Sequence, residues 1–220
     1  MTKQAFTAFG LGMTLFALSA SQVAAQTPAL MSMSKEPSSV FALTAEHELI
    51  RFDPSEPDKL YTVDPENGKL SKVGNGKLPI ELPDGPLGFD FNPAADRIRV
   101  VAETGLNLRL HPDTGEAVDF DPDRDGFQPD RSLTYVGRDP AISAAAYTYN
   151  ADDEKLTTNF AIDRARGTLA LQGTREGTQP PVSPNLGVLT SVGDLGTGPL
   201  AEVSFDISDV TNTALAALRV

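Results

Sequence analysis

The run Asp119-Phe120-Asp121-Pro122-Asp123-Arg124-Asp125-Gly126, with Asp130 following, sets carboxylates at alternate positions ahead of a glycine. Such a loop can wrap side-chain oxygens around one hard cation, and calcium, which takes roughly six to eight oxygens, suits it best. Against an EF-hand loop begun at Asp121, positions one, three, five and six agree, whereas position twelve is Ser132 in place of the bidentate Glu. Asp121, Asp123, Asp125 and Asp130 are therefore the candidate metal ligands, and calcium the candidate cofactor, in the role of stiffening a connection. The alternative is an acidic, solvated turn between sheets.

A second polar set, Asp90, Asn92, Asp96, Arg97, Arg99, Asn107 and Arg109, alternates with Phe89, Phe91, Ile98, Val100, Leu106, Leu108 and Leu110. Period-two alternation puts the two sets on opposite faces of a sheet. Asp90, Asn92, Arg99, Asn107 and Arg109 are the candidate ligand-binding residues, since guanidinium forks bind carboxylates bidentately and would suit an anionic or sugar-like ligand. In the structural alternative Asp90 and Asn92 cap their own turn, Asp96 begins a strand, and the arginines pair with carboxylates across strands. The ligand reading fails if Arg99 and Arg109 are buried and fully paired.

Much chemistry is excluded by residues the chain lacks. The 220 residues contain no cysteine, which removes disulfide scaffolds, thiolate metal sites and thiol nucleophiles. His47 and His111 are the only imidazoles, and both fall at hairpin turns beside carboxylates. No Gly-x-Ser-x-Gly, His-Glu-x-x-His or phosphate-loop run occurs. Gly196-Thr-Gly198-Pro-Leu-Ala201 matches a dinucleotide pattern loosely, but a strand-like run follows where a helix is required. A net charge of −12 repels phosphate backbones and anionic membranes, so neither nucleic acid nor a lipid surface is expected as a partner.

These residues must be positioned by strands. Lys3, the apolar run Ala5 to Leu18 and Val23-Ala24-Ala25 read as a secretory signal peptide over 1–25, which implies a secreted or periplasmic bacterial protein with no membrane span after cleavage. Residues 26–39 read as a flexible leader, 40–210 as one β domain and 211–220 as a C-terminal tail. From Val40 short apolar or alternating runs are punctuated by Asp-Pro, Asn-Pro, Asn-Gly and Thr-Gly. Strands are expected over Val40 to Thr44, Glu48 to Phe52, Lys59 to Val63, Lys69 to Val73, Leu87 to Phe91, Arg97 to Ala102, Leu106 to Leu110 and Glu116 to Phe120. A second series covers Ala144 to Tyr149, Lys155 to Ile162, Thr168 to Gln172, Gly187 to Val192 and Ala201 to Ile207. Helix is confined to a turn or two at Ala141 to Ala146 or Thr213 to Leu218.

An internal repeat organises the strands. Leu60-Tyr-Thr-Val-Asp-Pro-Glu-Asn-Gly68 superposes on Asn107-Leu-Arg-Leu-His-Pro-Asp-Thr-Gly115, with Phe160-Ala-Ile-Asp-Arg-Ala-Arg-Gly167 a degenerate third copy. The spacing of about 50 residues is that of a four-stranded propeller blade. The expected fold is thus all-β, a β-propeller-like array of about three to four four-stranded antiparallel blades with ring closure left open, against a sandwich as the alternative. Leu87 to Phe120 would make one blade.

Gly88-Phe-Asp-Phe-Asn-Pro-Ala-Ala-Asp-Arg-Ile-Arg-Val-Val-Ala-Glu-Thr-Gly-Leu-Asn-Leu-Arg-Leu-His-Pro-Asp-Thr-Gly115 closely resembles the bacterial secreted family called domain of unknown function 4394. Agreement extends through Phe41 to Pro54, Pro140 to Asn150, Phe160 to Asp163, Leu189 to Gly196 and Phe205 to Ile207. The resemblance implies a propeller-like all-β fold with no assigned reaction and no catalytic residues to transfer. Relative to the family pattern, about one blade is missing between Asp53-Pro54 and Leu60-Tyr61, as is the usual C-terminal hairpin. An open sheet edge left this way would invite a partner or another copy.

The leading expectation is an exported, non-enzymatic binding or scaffold protein stabilised by calcium, with an unknown protein or small molecule as its ligand. The alternative is a calcium-dependent propeller hydrolase of lactonase type, with Asp90, Asn92 and Asn107 holding a Lewis-acid metal. A third reading is a degenerate paralogue that folds only with a partner.

Overall fold

A computed structural model describes residues 41–43, 49–52, 60–64, 66–74 and 78–220. The expected signal peptide (1–25), the leader (26–39) and His47 lie outside the described residues. Strands β1 (Phe41–Leu43), β2 (Leu49–Phe52), β3 (Leu60–Val63) and β4 (Leu70–Lys72) form the first antiparallel sheet in that order. The second sheet is β5 (Leu87–Asn92), β6 (Arg97–Ala102) and β7 (Asn107–Leu110). The third is β8 (Ile142–Tyr147), β9 (Asn159–Asp163), β10 (Thr168–Gln172) and β11 (Leu189–Asp194). A hairpin of β12 (Glu202–Ile207) and β13 (Ala214–Arg219) is the fourth, and one 3-10 turn, Pro184–Leu186, completes the described elements. The fold is all-β and the described sheets are not closed into a ring.

The repeated turns act as their residue types dictate. Asp64 accepts the Glu66 N–H at 2.9 Å through its carboxylate and the Gly68 N–H at 2.7 Å through its carbonyl, and Gly68 takes φ 72°. His111 replaces Asp64 in the second copy: its carbonyl accepts the Gly115 N–H at 2.9 Å, and its ring nitrogen the Asp113 N–H at 3.2 Å.

Alternation then assigns faces. Phe89, Ile98, Val100, Leu108 and Leu110 turn one way and bury against Leu60 and Leu78. Val101, from the opposite face of β6, packs with Ile142, Ala145, Ala161, Ala170 and Leu189 of the third sheet. On that sheet's other face Ala144 and Ile162 meet Leu200, Val203, Phe205 and Leu218. Small residues let the second and third sheets approach closely. A Cβ on Gly88 of β5 would sit 2.5 Å from a Val101 methyl and 2.8 Å from the Ala144 backbone. Gly88→Ala should therefore destabilise by about 2–3 kcal/mol, because backbone has to move; urea unfolding measures it, and a change below about 0.5 kcal/mol would refute the close approach.

Three expectations are corrected. Ala141 to Ala146 and Thr213 to Leu218 are strands, not helical turns: β8 is buried along its whole length, and β13 pairs residue for residue with β12, so packing overrides alanine's helix propensity. Residues 211–220 are accordingly no tail, since Ala214–Arg219 pairs with the strand that contains Phe205 to Ile207. Glu116 to Phe120 forms no strand; it bridges only at Leu110 and Ala117 before turning into the Asp-rich loop. Leu87 to Phe120 thus supplies three strands and a bridge.

Candidate functional site

Cross-strand register lines up Asp90, Arg99 and Arg109 on one face of the second sheet. It likewise lines up Tyr147, Asn159 and Gln172 on the third, and the two rows meet as a polar layer. Arg99 is 1% exposed. Its Nε donates to the Tyr147 hydroxyl at 3.0 Å, one terminal nitrogen to Asn107 Oδ1 at 2.7 Å and Asp130 Oδ2 at 2.6 Å, and the other to Asn185 Oδ1 at 2.6 Å. Arg109 forks onto Asp130 with bonds of 2.8 Å to each oxygen. Asn107 and Gln172 each donate to the Pro184 carbonyl, which ties the 3-10 turn into the layer. Burial opposes the Arg99 charge, but Tyr147 and Asp130 raise its pKa above the ordinary value.

Arg99, Asn107 and Arg109 are therefore brought together, but to hold protein rather than ligand. Arg99 meets the condition under which its ligand reading fails, and Arg109 keeps both carboxylate contacts at 19% side-chain exposure. Asp130 departs from the calcium set. Its side chain is buried between two guanidiniums, whereas Asp121, Asp123 and Asp125 are exposed. No three acidic or imidazole groups are placed to hold a metal among the described residues. The acidic loop is organised by its own Asx turn, in which Asp119 accepts the Asp121 N–H at 2.9 Å. Asn92 caps its turn, accepting the Ala94 N–H at 2.9 Å. Asp90 does not; it accepts the Tyr147 N–H at 2.6 Å and so staples β5 to β8. The triad proposed for a hydrolytic metal loses Asn107, whose amide is spent on Arg99, Gln172 and the Arg131 and Pro184 carbonyls.

An open cleft of about 680 Å³ lies elsewhere, between the β6–β7 turn at Glu103–Gly105 and the loop 132–140. The Leu133 N–H donates to the Gly105 carbonyl at 2.9 Å, and Thr134 bridges Val188 beside β11. Tyr135 and Arg138 then pair across a tight turn whose Gly137 takes φ 76°. The Arg138 guanidinium lies 3.7 Å from the Tyr135 ring centroid and donates to Ser191 Oγ at 2.6 Å. Glu103 is ion-paired with Arg164, which also reaches the Leu200 carbonyl at 3.0 Å. Behind the cleft the Tyr135 hydroxyl and Asp163 Oδ1 are buried without hydrogen-bond partners. Burial first, and the Asp163 carboxylate second, push Tyr135 up to about 12.

The lining thus offers hydroxyls from Thr104, Ser132 and Thr134, the carboxylate of Asp139 and a stacked guanidinium, while the Glu103 carboxylate is taken by Arg164. This is recognition chemistry for a small polar molecule. None of these residues stands out in the sequence, where the only signal is an aromatic and an arginine flanking Val136-Gly137.

The family model described as domain of unknown function (DUF4394) matches residues 36–220. No curated protein matches the sequence. Among solved structures the chain is similar to a glutaminyl cyclase of Myxococcus xanthus, at 10% identity and a TM-score of 0.49, covering 81% of this chain and 66% of that one. It is also similar to an auxiliary nutrient binding protein of Bacteroides thetaiotaomicron, at 12% identity and a TM-score of 0.38, covering 78% of this chain and 43% of that one.

Proposed function

The chain belongs to the DUF4394 family, and from that premise we propose an exported, non-enzymatic binding module whose propeller-like blades hold a small polar ligand in the cleft between Glu103–Gly105 and Ser132–Pro140. The blade reading is supported by the first strands of successive sheets, since β1 touches β5, β5 touches β8, and β8 touches β12. First strands of neighbouring blades meet in this way around an axis. The observation that carries the binding role is the division of polar groups: Arg99, Arg109 and Asp130 are consumed internally, while the cleft presents the Thr104, Ser132 and Thr134 hydroxyls and the Asp139 carboxylate around a fixed Tyr135–Arg138 pair, with Glu103 held by Arg164. Arg138 is held by stacking and by Ser191, so little ordering cost remains when it binds an acceptor.

Calorimetry against amino acids, dicarboxylates and monosaccharides tests the proposal. Arg138→Ala should weaken the best binder by about 10- to 100-fold, the range of a charged hydrogen bond, with an unchanged far-ultraviolet spectrum. Absence of binding across the panel, or equal affinity in the variant, would refute it.

A further inference from the structure

The charged side chains that line or back the cleft cancel in pairs, except for one cation and one anion. Arg164 forks onto both oxygens of Glu103, at 3.0 Å for the longer contact. Arg166 meets the buried Asp163 carboxylate at 3.2 Å. Arg138 and Asp139 are left. The Arg138 guanidinium is fixed by the Tyr135 ring and by Ser191, yet it has no carboxylate partner among the described residues. Asp139 follows it directly in sequence and is exposed. Its backbone carbonyl accepts from Arg166 at 3.4 Å, while its carboxylate enters no ion pair among the described residues. Both residues line the cleft.

We propose that the cleft takes the zwitterionic head of a free α-amino acid, with its carboxylate on Arg138 and its ammonium on Asp139. The assignment rests on the binding role given to the cleft above and narrows its ligand. Among the described residues only Ser191 accepts from the Arg138 guanidinium, and a planar edge of the remaining donors binds carboxylate oxygens. Asp139 is the complement for the other charge, since an ionised carboxylate only accepts and an ammonium only donates. Competing classes leave a charge stranded. A dicarboxylate needs a second cation, but Arg164 and Arg166 are already committed, and Asp139 in a chain of net charge −12 repels it. A monosaccharide displaces water from both charges and brings a counter-charge to neither, which is costly for ionised groups. The Thr104, Ser132 and Thr134 hydroxyls and a volume of about 680 Å³ leave room for a polar side chain beyond the head group.

Calorimetry of the full chain with the standard amino acids tests the head group. Each binder is compared with its α-hydroxy acid analogue, which lacks the ammonium, and with its amide, which lacks the carboxylate. An amino acid should bind, and either change should weaken it by about 10- to 100-fold, the range of one charged hydrogen bond. Asp139→Asn should weaken the free amino acid by about 10-fold and leave its α-hydroxy acid analogue unchanged, a split that a folding defect does not produce. Equal affinity for the α-hydroxy acid, or an amino acid indifferent to Asp139→Asn, would overturn the assignment. So would a dicarboxylate or monosaccharide that binds and is weakened by Arg138→Ala while no amino acid binds, an outcome that leaves the binding module standing. Silence from every class would overturn both.

Discussion

Asp130→Ala should lower the free energy of unfolding by about 3–5 kcal/mol, the cost of stranding buried charge by removing one partner. The substitution deletes the acceptor for Arg99, at 1% exposure, and for both forks of Arg109. Arg99 cannot turn to water without breaking its contacts to Asn107, to Asn185 and to Tyr147 of the third sheet. Stability of small domains is itself only about 5–15 kcal/mol, so the variant should be marginal at room temperature. Replacing the buried pair with apolar side chains, Asp130→Leu with Arg99→Met, should recover part of the loss, since desolvation then disappears with the charges. Urea denaturation of the three chains decides. A loss below about 1 kcal/mol for Asp130→Ala would show that the layer does not hold the sheets.

Asp90→Asn should change how stability depends on pH. Burial pushes the Asp90 carboxyl from its ordinary 3.8 to about 8, with Asp206 and Asp209 adding to the rise and the Tyr147 and Phe91 N–H groups opposing it. Between those values the folded protein binds a proton that the unfolded chain does not. The sign follows from linkage: stability is fully present below the unfolded pKa, declines as pH rises through the window from about 4 to about 8, and levels off above it. Asn keeps an oxygen for the Tyr147 N–H but does not ionise, so its contribution is flat. Since Asp90 is half-buried, solvent screening reduces the full linkage, and the variant should gain about 1–3 kcal/mol on wild type between pH 5 and pH 9. Parallel stability curves would contradict the assignment.

The hairpins were legible because their signals are local. Gly68, Gly115 and Gly167 all take positive φ at the repeat turns, a requirement set by the tight turn itself. The polar and apolar faces around Arg99 were legible from alternation. The partner of Arg99 was not: Asp130 lies 31 positions away in a segment without periodicity, and its place shortly after Asp121, Asp123 and Asp125 suggested a shared cation. Only the folded chain shows that one carboxylate turns inward while the others stay in water. Likewise Ala214 to Leu218 carries a helical composition, and it becomes a strand because Phe205 and Val203 offer a ladder and a core. The cleft was illegible for the same reason, since it joins the turn at Glu103 to a loop some 30 residues later through the Gly105 carbonyl, a contact no local pattern encodes.

Backbone amide chemical-shift mapping with the best ligand of the calorimetric panel tests the separation of structural layer from binding cleft most directly. Perturbations confined to Glu103–Gly105, Ser132–Pro140 and Ser191 are the expected result. Perturbations centred instead on Asp90, Asn92 and Asp206 of β5 and β12, with the cleft amides unmoved, would place binding between the first strands of the sheets and contradict the proposal.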